Sequence, residues 1–146
     1  MLKEIISCAY LAPSAKNRQL WKFTVIQNKA VIKELAEVIG KEFDDSAYDF
    51  YNPDALILAS NERDYDLGRE DCACALENIF LAAHAYGIGS VWINQFRNNC
   101  DKPEFRQALR KINLPDNHII VGAAALGYPK AVSEAQKNKD VVEWVK

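Results

Sequence analysis

Apolar residues recur along the chain with two different periods, and their alternation lays out the elements. Leu2, Ile5, Ile6, Ala9, Tyr10 and Leu11 fall at helical spacing and Pro13 ends the run, which predicts a first helix over residues 2–12. Trp21, Phe23, Val25 and, out of phase, Ile26 are β-formers bounded by Asn28, and predict a strand. Asn28 has the side chain of a helix N-cap; Val31, Leu35, Val38 and Ile39 follow at helical spacing, and Gly40 is the expected stop. The continuous apolar run at 55–59 predicts a strand covered on both faces. The strongest helical pattern spans residues 69–87, where Cys72, Leu76, Ile79, Phe80 and Ala83 are three or four apart and Gly87 and Gly89 close the run. Residues 88–93 return as a strand, 103–112 as an amphipathic helix, and 119–126 as a strand that Gly127, Tyr128 and Pro129 turn away.

Three stretches fall outside this pattern. Residues 12–21 pack a Pro, a Ser, the carboxamides of Asn17 and Gln19, and two cations between a helix and a strand. That is either a polar connection or a binding loop, because a turn needs particular backbone angles but no pair of carboxamides beside a Trp. Residues 41–53 are acidic and aromatic without a period, so Phe43, Tyr48, Phe50 and Tyr51 either plug the core edge or cover a ligand as a lid. The tail is polar up to Val141, Val142, Trp144 and Val145, which must pack on their own core or on a partner subunit.

At 146 residues the chain is expected to form one domain, 1–146, with helices on the faces of a sheet. A formal net charge of -2 gives no electrostatic reason for nucleic acid or an anionic membrane as partner, so an anionic ligand would need a local cationic cluster. No apolar run reaches the roughly 20 residues of a membrane span. Cys8, Cys72, Cys74 and Cys100 follow no framework spacing, and the start shows no signal-peptide pattern, so reduced thiols in the cytoplasm are expected. No metal is expected, since Cys72 and Cys74 point apart on a helix and lack companions at ligand spacing. Ala73, Ala75, Ala82 and Ala85 let another helix approach the central one, and the same helix of a second subunit is one candidate. His84 and His118 lack a nucleophile or carboxylate in a suitable context, and both read as structural.

Three segments together resemble the FMN-dependent nitroreductase family. Ala12, Pro13, Ser14, Ala15, Lys16, Asn17, Arg18, Gln19, Leu20 and Trp21 are similar to its pattern A-P-S-x-x-N-x-Q-P-W. Residues 71–93 look like its central helix and following strand, and Ala125, Leu126, Gly127, Tyr128 and Pro129 resemble its late L-G-Y-P. The resemblance implies an α+β fold with a central, mostly antiparallel sheet flanked by helices, and a homodimer with FMN at its interface. It implies that Pro13, Ser14, Ala15 and Asn17 reach FMN from the partner chain with Gln19 nearby. Trp92, Ile93, Asn94 and Gln95 would lie against the ring system, while Lys137 and Lys139 of K-N-K would hold the phosphate where the family often has K-P-R. These residue types match what a flavin requires: donors and acceptors along one edge, an apolar surface under the rings, and cations at the phosphate. NAD(P)H and an electron-poor acceptor, a nitroaromatic or a quinone, are the implied substrates, and no catalytic acid or nucleophile is named.

The sequence also departs from the family pattern. Leu20 stands for the Pro of Q-P-W and Lys139 for the Arg of K-P-R. With Met1 already inside the first helix, the family's R-x-S-x-R phosphate clamp is expected to be missing. Two lost arginines, at about 1.5–3 kcal/mol per charged hydrogen bond, weaken binding by roughly two orders of magnitude or more unless Lys16, Arg18 or Arg97 replaces them. The alternative reading is a module of the same fold that binds a flavin or another small ligand without turnover.

Overall fold

The computed structural model describes residues 1–131, 135–138 and 141–145. Its elements, in chain order, are α1 (Leu2–Ala9), a 3-10 turn (Ala15–Asn17), β1 (Lys22–Ile26), α2 (Lys29–Glu42), β2 (Ala55–Glu62), α3 (Gly68–Ala85), β3 (Gly89–Ile93), α4 (Pro103–Lys111) and β4 (His118–Gly127). The strands form a four-stranded sheet in the order β1-β2-β4-β3, and every neighbouring pair is antiparallel. β2 and β4 are central, which explains why 55–59 is apolar without alternation: both faces of β2 are covered. One face packs Ile57, Ala59, Val121, Ala124 and Leu126 against α3 and α1; the other packs Ile26, Leu56, Leu58, Ile93, Ala123 and Ala125 against α2 and α4. The expected α+β class, with a central antiparallel sheet flanked by helices, is therefore the observed one.

Most boundaries shift by a residue or two from the sequence expectation, and three of the differences have a clear structural basis. The first helix ends at Ala9, and residues 10–12 continue only as turns closed by backbone bonds to Ser7, Cys8 and Ala9. Gly40 does not stop α2, which runs on to Glu42. Its value is space: a Cβ there would lie 2.4 Å from the Asp45 carbonyl oxygen, so a side chain would push the following loop away. β2 extends through Ser60, Asn61 and Glu62, polar residues that are nonetheless buried or half-buried. Their polar groups find distant partners, with Ser60 Oγ 3.1 Å from His118 Nδ1 and Asn61 Nδ2 donating to the Gly68 carbonyl.

β4 carries a bulge. Ile120 pairs with Ser60 and Gly122 with Ala59, leaving Val121 as an extra residue. Val121 and Gly122 consequently both turn toward α3, and the missing Cβ of Gly122 is filled by the Trp92 indole, whose Cζ2 would be 2.7 Å from it. Trp92 also tilts against Phe80 of α3, with ring centroids 5.9 Å apart. A tryptophan on an edge strand is thereby fixed at the end of the sheet.

Candidate functional site

The polar loop between α1 and β1 has an unusual backbone. Lys16, Asn17 and Gln19 all have φ near +52°, a region costly for residues other than Gly and tolerated best by Asn. Its anchors lie on α3 and the turn before it. The Ala15 amide donates to Asp71 Oδ1 at 2.9 Å, the Tyr65 hydroxyl donates to the Ala15 carbonyl at 3.4 Å, and the Arg18 guanidinium lies 5.4 Å from the centre of the Tyr65 ring. Asp71 is only 3% exposed, in the first turn of α3, where the helix dipole favours a carboxylate. Neither Asp71 nor Tyr65 stands out in the sequence, because the contact with Ala15 spans more than fifty positions of chain.

Within the loop, Ser14 Oγ accepts from the Gln19 amide, and Gln19 Nε2 donates to Asn17 Oδ1 at 2.7 Å. Among the described residues nothing else engages these two carboxamides, which leaves the Asn17 Nδ2 donor and the Gln19 Oε1 acceptor side by side on an exposed loop. The cations Lys16 and Arg18 are exposed beside them.

The end of β3 forms a second group. Ile93 is buried in the core while Trp92 remains 40% exposed, and Asn94 is exposed beyond it. Gln95 Oε1 accepts from the Asn94 amide, and no described residue takes up its Nε2. Among the described residues no hydrogen bond joins the loop residues to 92–95. Lys137 is exposed in the tail, and Lys139 lies outside the described residues. Val141, Val142, Trp144 and Val145 are exposed, Trp144 at 78%, so these four residues are not covered by the chain's own core.

The acidic and aromatic segment divides by residue. Phe50 is fully buried, stacked on Phe96 with centroids 5.2 Å apart, and Tyr48 meets Phe50 edge-on at 5.0 Å. Phe43 and Tyr51 are exposed, and with Asp45, Ala47, Tyr48, Asp49 and Gln95 they line an open cavity of about 450 Å³. The Tyr48 hydroxyl is buried without a hydrogen-bond partner, and burial, with the nearby Tyr51, Asp49 and Asp45, pushes its pKa up to about 12.

The two histidines differ, and only His118 takes part in the packing. Burial holds the His118 pKa below its usual value, consistent with a neutral ring bonded to Ser60, and His84 is exposed on α3. Asn78 donates to the Cys8 carbonyl at 3.0 Å and pins α1 to α3. Asp101, bonded to Arg63 and Arg106, is held well below the usual carboxylate range, and these ion pairs tie the start of α4 to the end of β2. All four cysteines are free, and burial raises the Cys72 thiol to about 12, which makes it a packing residue rather than a nucleophile.

An antiparallel sheet with helices on both faces, a polar loop between α1 and β1 and an exposed aromatic residue on the edge strand define a three-layered α+β protein. The profile of the Nitroreductase family matches residues 1–53 and 46–128, and the chain belongs to that family. It is 32% identical, over 136 residues and 88% of its length, to an Archaeoglobus fulgidus protein that bears the provisional name NADH dehydrogenase/NAD(P)H nitroreductase, of which it spans 72%. An NADPH-flavin oxidoreductase of Vibrio harveyi is 26% identical over 126 residues, covering 86% of this chain and 49% of the relative. Among solved structures, a nitroreductase with bound FMN from Bacteroides fragilis superposes with a TM-score of 0.91 at 34% identity, over 99% of this chain and 86% of that one.

Proposed function

We propose that residues 1–146 form one nitroreductase-like domain that works as a cytoplasmic homodimer, using FMN to pass electrons from NAD(P)H to a nitroaromatic, a quinone or a similar acceptor. The observation that carries this reading is the Asn17–Gln19 pair. Their mutual hydrogen bond leaves one donor and one acceptor adjacent, the complement of a flavin's pyrimidine edge, where donor and acceptor groups alternate. The donor set therefore fits the cofactor that the Bacteroides fragilis protein holds.

When bound, FMN supplies the acceptance of hydride and its release as electrons. The chain's own residues bind and orient. Asn17 and Gln19 would address the pyrimidine edge, with Pro13, Ser14 and Ala15 forming the backbone beneath them. Trp92 and Ile93 would supply apolar surface, Asn94 and Gln95 polar contacts, and Lys137 and Lys139 charge for the phosphate. The loop and the strand end of each chain would meet flavins shared between two subunits. Exposed Leu81 and Tyr86 of the α3 region, Val91 and Trp92 of β3, and the apolar tail support an intersubunit surface.

The test is to purify the protein, look for a flavin absorbance band, titrate FMN, and follow NAD(P)H oxidation with a nitro compound. A colourless protein that takes up no FMN and oxidises no NAD(P)H would overturn the reading. Tight FMN binding without oxidation would replace the enzyme by a flavin-binding module.

A further inference from the structure

The cavity between residues 43 and 51 has a chemistry that the cofactor does not use. Between Phe43 and Asn52 the chain carries Asp44, Asp45 and Asp49 and neither Lys nor Arg. The neighbouring acids are neutralised, Glu42 by Lys102 and Asp54 by Lys29, but among the described residues none of these three aspartates is in an ion pair. Asp45 and Asp49 line the cavity together with Phe43, Tyr48 and Tyr51, whose rings form its wall. At about 450 Å³ the space suits one small aromatic molecule.

The cavity is also held in shape. Phe50, Tyr51 and Asn52 adopt φ values of 55°, 64° and 50°, a run of left-handed backbone that Phe50 fixes by stacking on Phe96. Asp45 Oδ1 accepts from the Ala47 amide and Asp49 Oδ1 from the Tyr51 amide, so each carboxylate has a set direction. Gln95 closes one side, and through it the cavity adjoins the end of β3.

The geometry points to a binding site for an aromatic ligand that carries a positive charge, such as an N-alkylpyridinium or a benzyl quaternary ammonium, in the cavity lined by Phe43, Asp45, Tyr48, Asp49, Tyr51 and Gln95. Aromatic faces attract a cation through their quadrupole, unpaired carboxylates add a negative potential, and together they favour cations over neutral and anionic isosteres. The site rests on the flavoenzyme reading only for its role: beside the flavin strand it would select cationic electron acceptors.

Binding can be read without turnover. Isothermal titration of the purified protein, with and without added FMN, would use 4-nitrobenzyltrimethylammonium, its neutral carbon isostere 4-nitroneopentylbenzene, and 4-nitrobenzoate. The cation should bind about tenfold tighter than the neutral compound at low salt, with the anion weakest. Asp45→Asn with Asp49→Asn keeps the Oδ1 acceptors of both turns, so the fold is retained while the preference should shrink to about twofold or less. Equal binding of cation and neutral isostere, or a preference that survives the double variant, would overturn the site. If the cation binds selectively but FMN neither binds nor turns over, the site stands and the flavoenzyme reading falls. If FMN turns over and the three probes bind alike, the site falls alone.

Discussion

Two loops of this protein hold left-handed backbone, and they are held by opposite means. Residues 14–19 are fixed by polar contacts: a buried aspartate, a tyrosine hydroxyl and a carboxamide pair. Residues 43–52 are fixed by aromatic packing, with Phe50 fully buried against Phe96. The first loop sits on the fold, while the second is partly inside it. A polar anchor can be cut with local effect, because the loop carries little core. An apolar anchor cannot, because the side chain that positions the loop also fills the centre of the domain.

The largest test of that contrast is Phe50→Ala. Emptying a fully buried phenylalanine site should cost about 3–5 kcal/mol, seen as a lower denaturant midpoint, with the cavity and the fold lost together. Asp71→Ala should cost less, about 1–3 kcal/mol for the unpaired Ala15 amide, yet it should loosen FMN binding by about tenfold at a temperature where circular dichroism still reports a folded protein. An unchanged FMN affinity would mean that the loop is a plain connection. Asn17→Gly is milder still. Glycine accepts φ near +52° freely, so stability should stay within about 0.5 kcal/mol while loss of the carboxamide weakens FMN about threefold to tenfold, measured by flavin titration.

The smallest effect belongs to the Tyr48 hydroxyl. At neutral pH Tyr48→Phe should be close to neutral, since it removes a buried group with no partner. The difference emerges in alkali. Its folded pKa is raised to about 12 from the usual 10, so the native state favours the protonated phenol, and that stability is complete below about pH 10 and is lost between there and about 12. Alkaline unfolding curves of wild type and Tyr48→Phe should therefore diverge only across that window, with the variant the less sensitive.

Most of the architecture was legible because it is written locally. The continuous apolar run of β2, the spacing in α3 and the Asn28 cap, whose Oδ1 accepts from the Ala30 amide, each need only neighbours to be recognised. What escaped depends on distant partners. Ser60 and Asn61 look like a strand end until His118 and Gly68 are seen to satisfy them, and Gly40 looks like a helix stop until the Asp45 carbonyl is seen against it. The loop carboxamides were visible as an excess of polar groups, but not the Asp71 and Tyr65 anchors that shape them. The aromatic segment left two readings open, and the structure divides them: Phe50 is core, Tyr48 is half-buried between it and the cavity, and Phe43 and Tyr51 are surface.

The bulge in β4 constrains how this sequence can change over generations. Trp92 occupies the volume where Gly122 lacks a Cβ, with Leu76 Cδ1 only 3.2 Å from the same point. Any side chain introduced first at 122 forces the indole to shift from its place against Phe80, so that lineage begins with a destabilised protein. A smaller residue at 92 removes the tightest of these contacts and eases the change at position 122. The two sites are coupled, and among descendants of this chain a non-glycine at 122 should be found mostly alongside a residue other than tryptophan at 92.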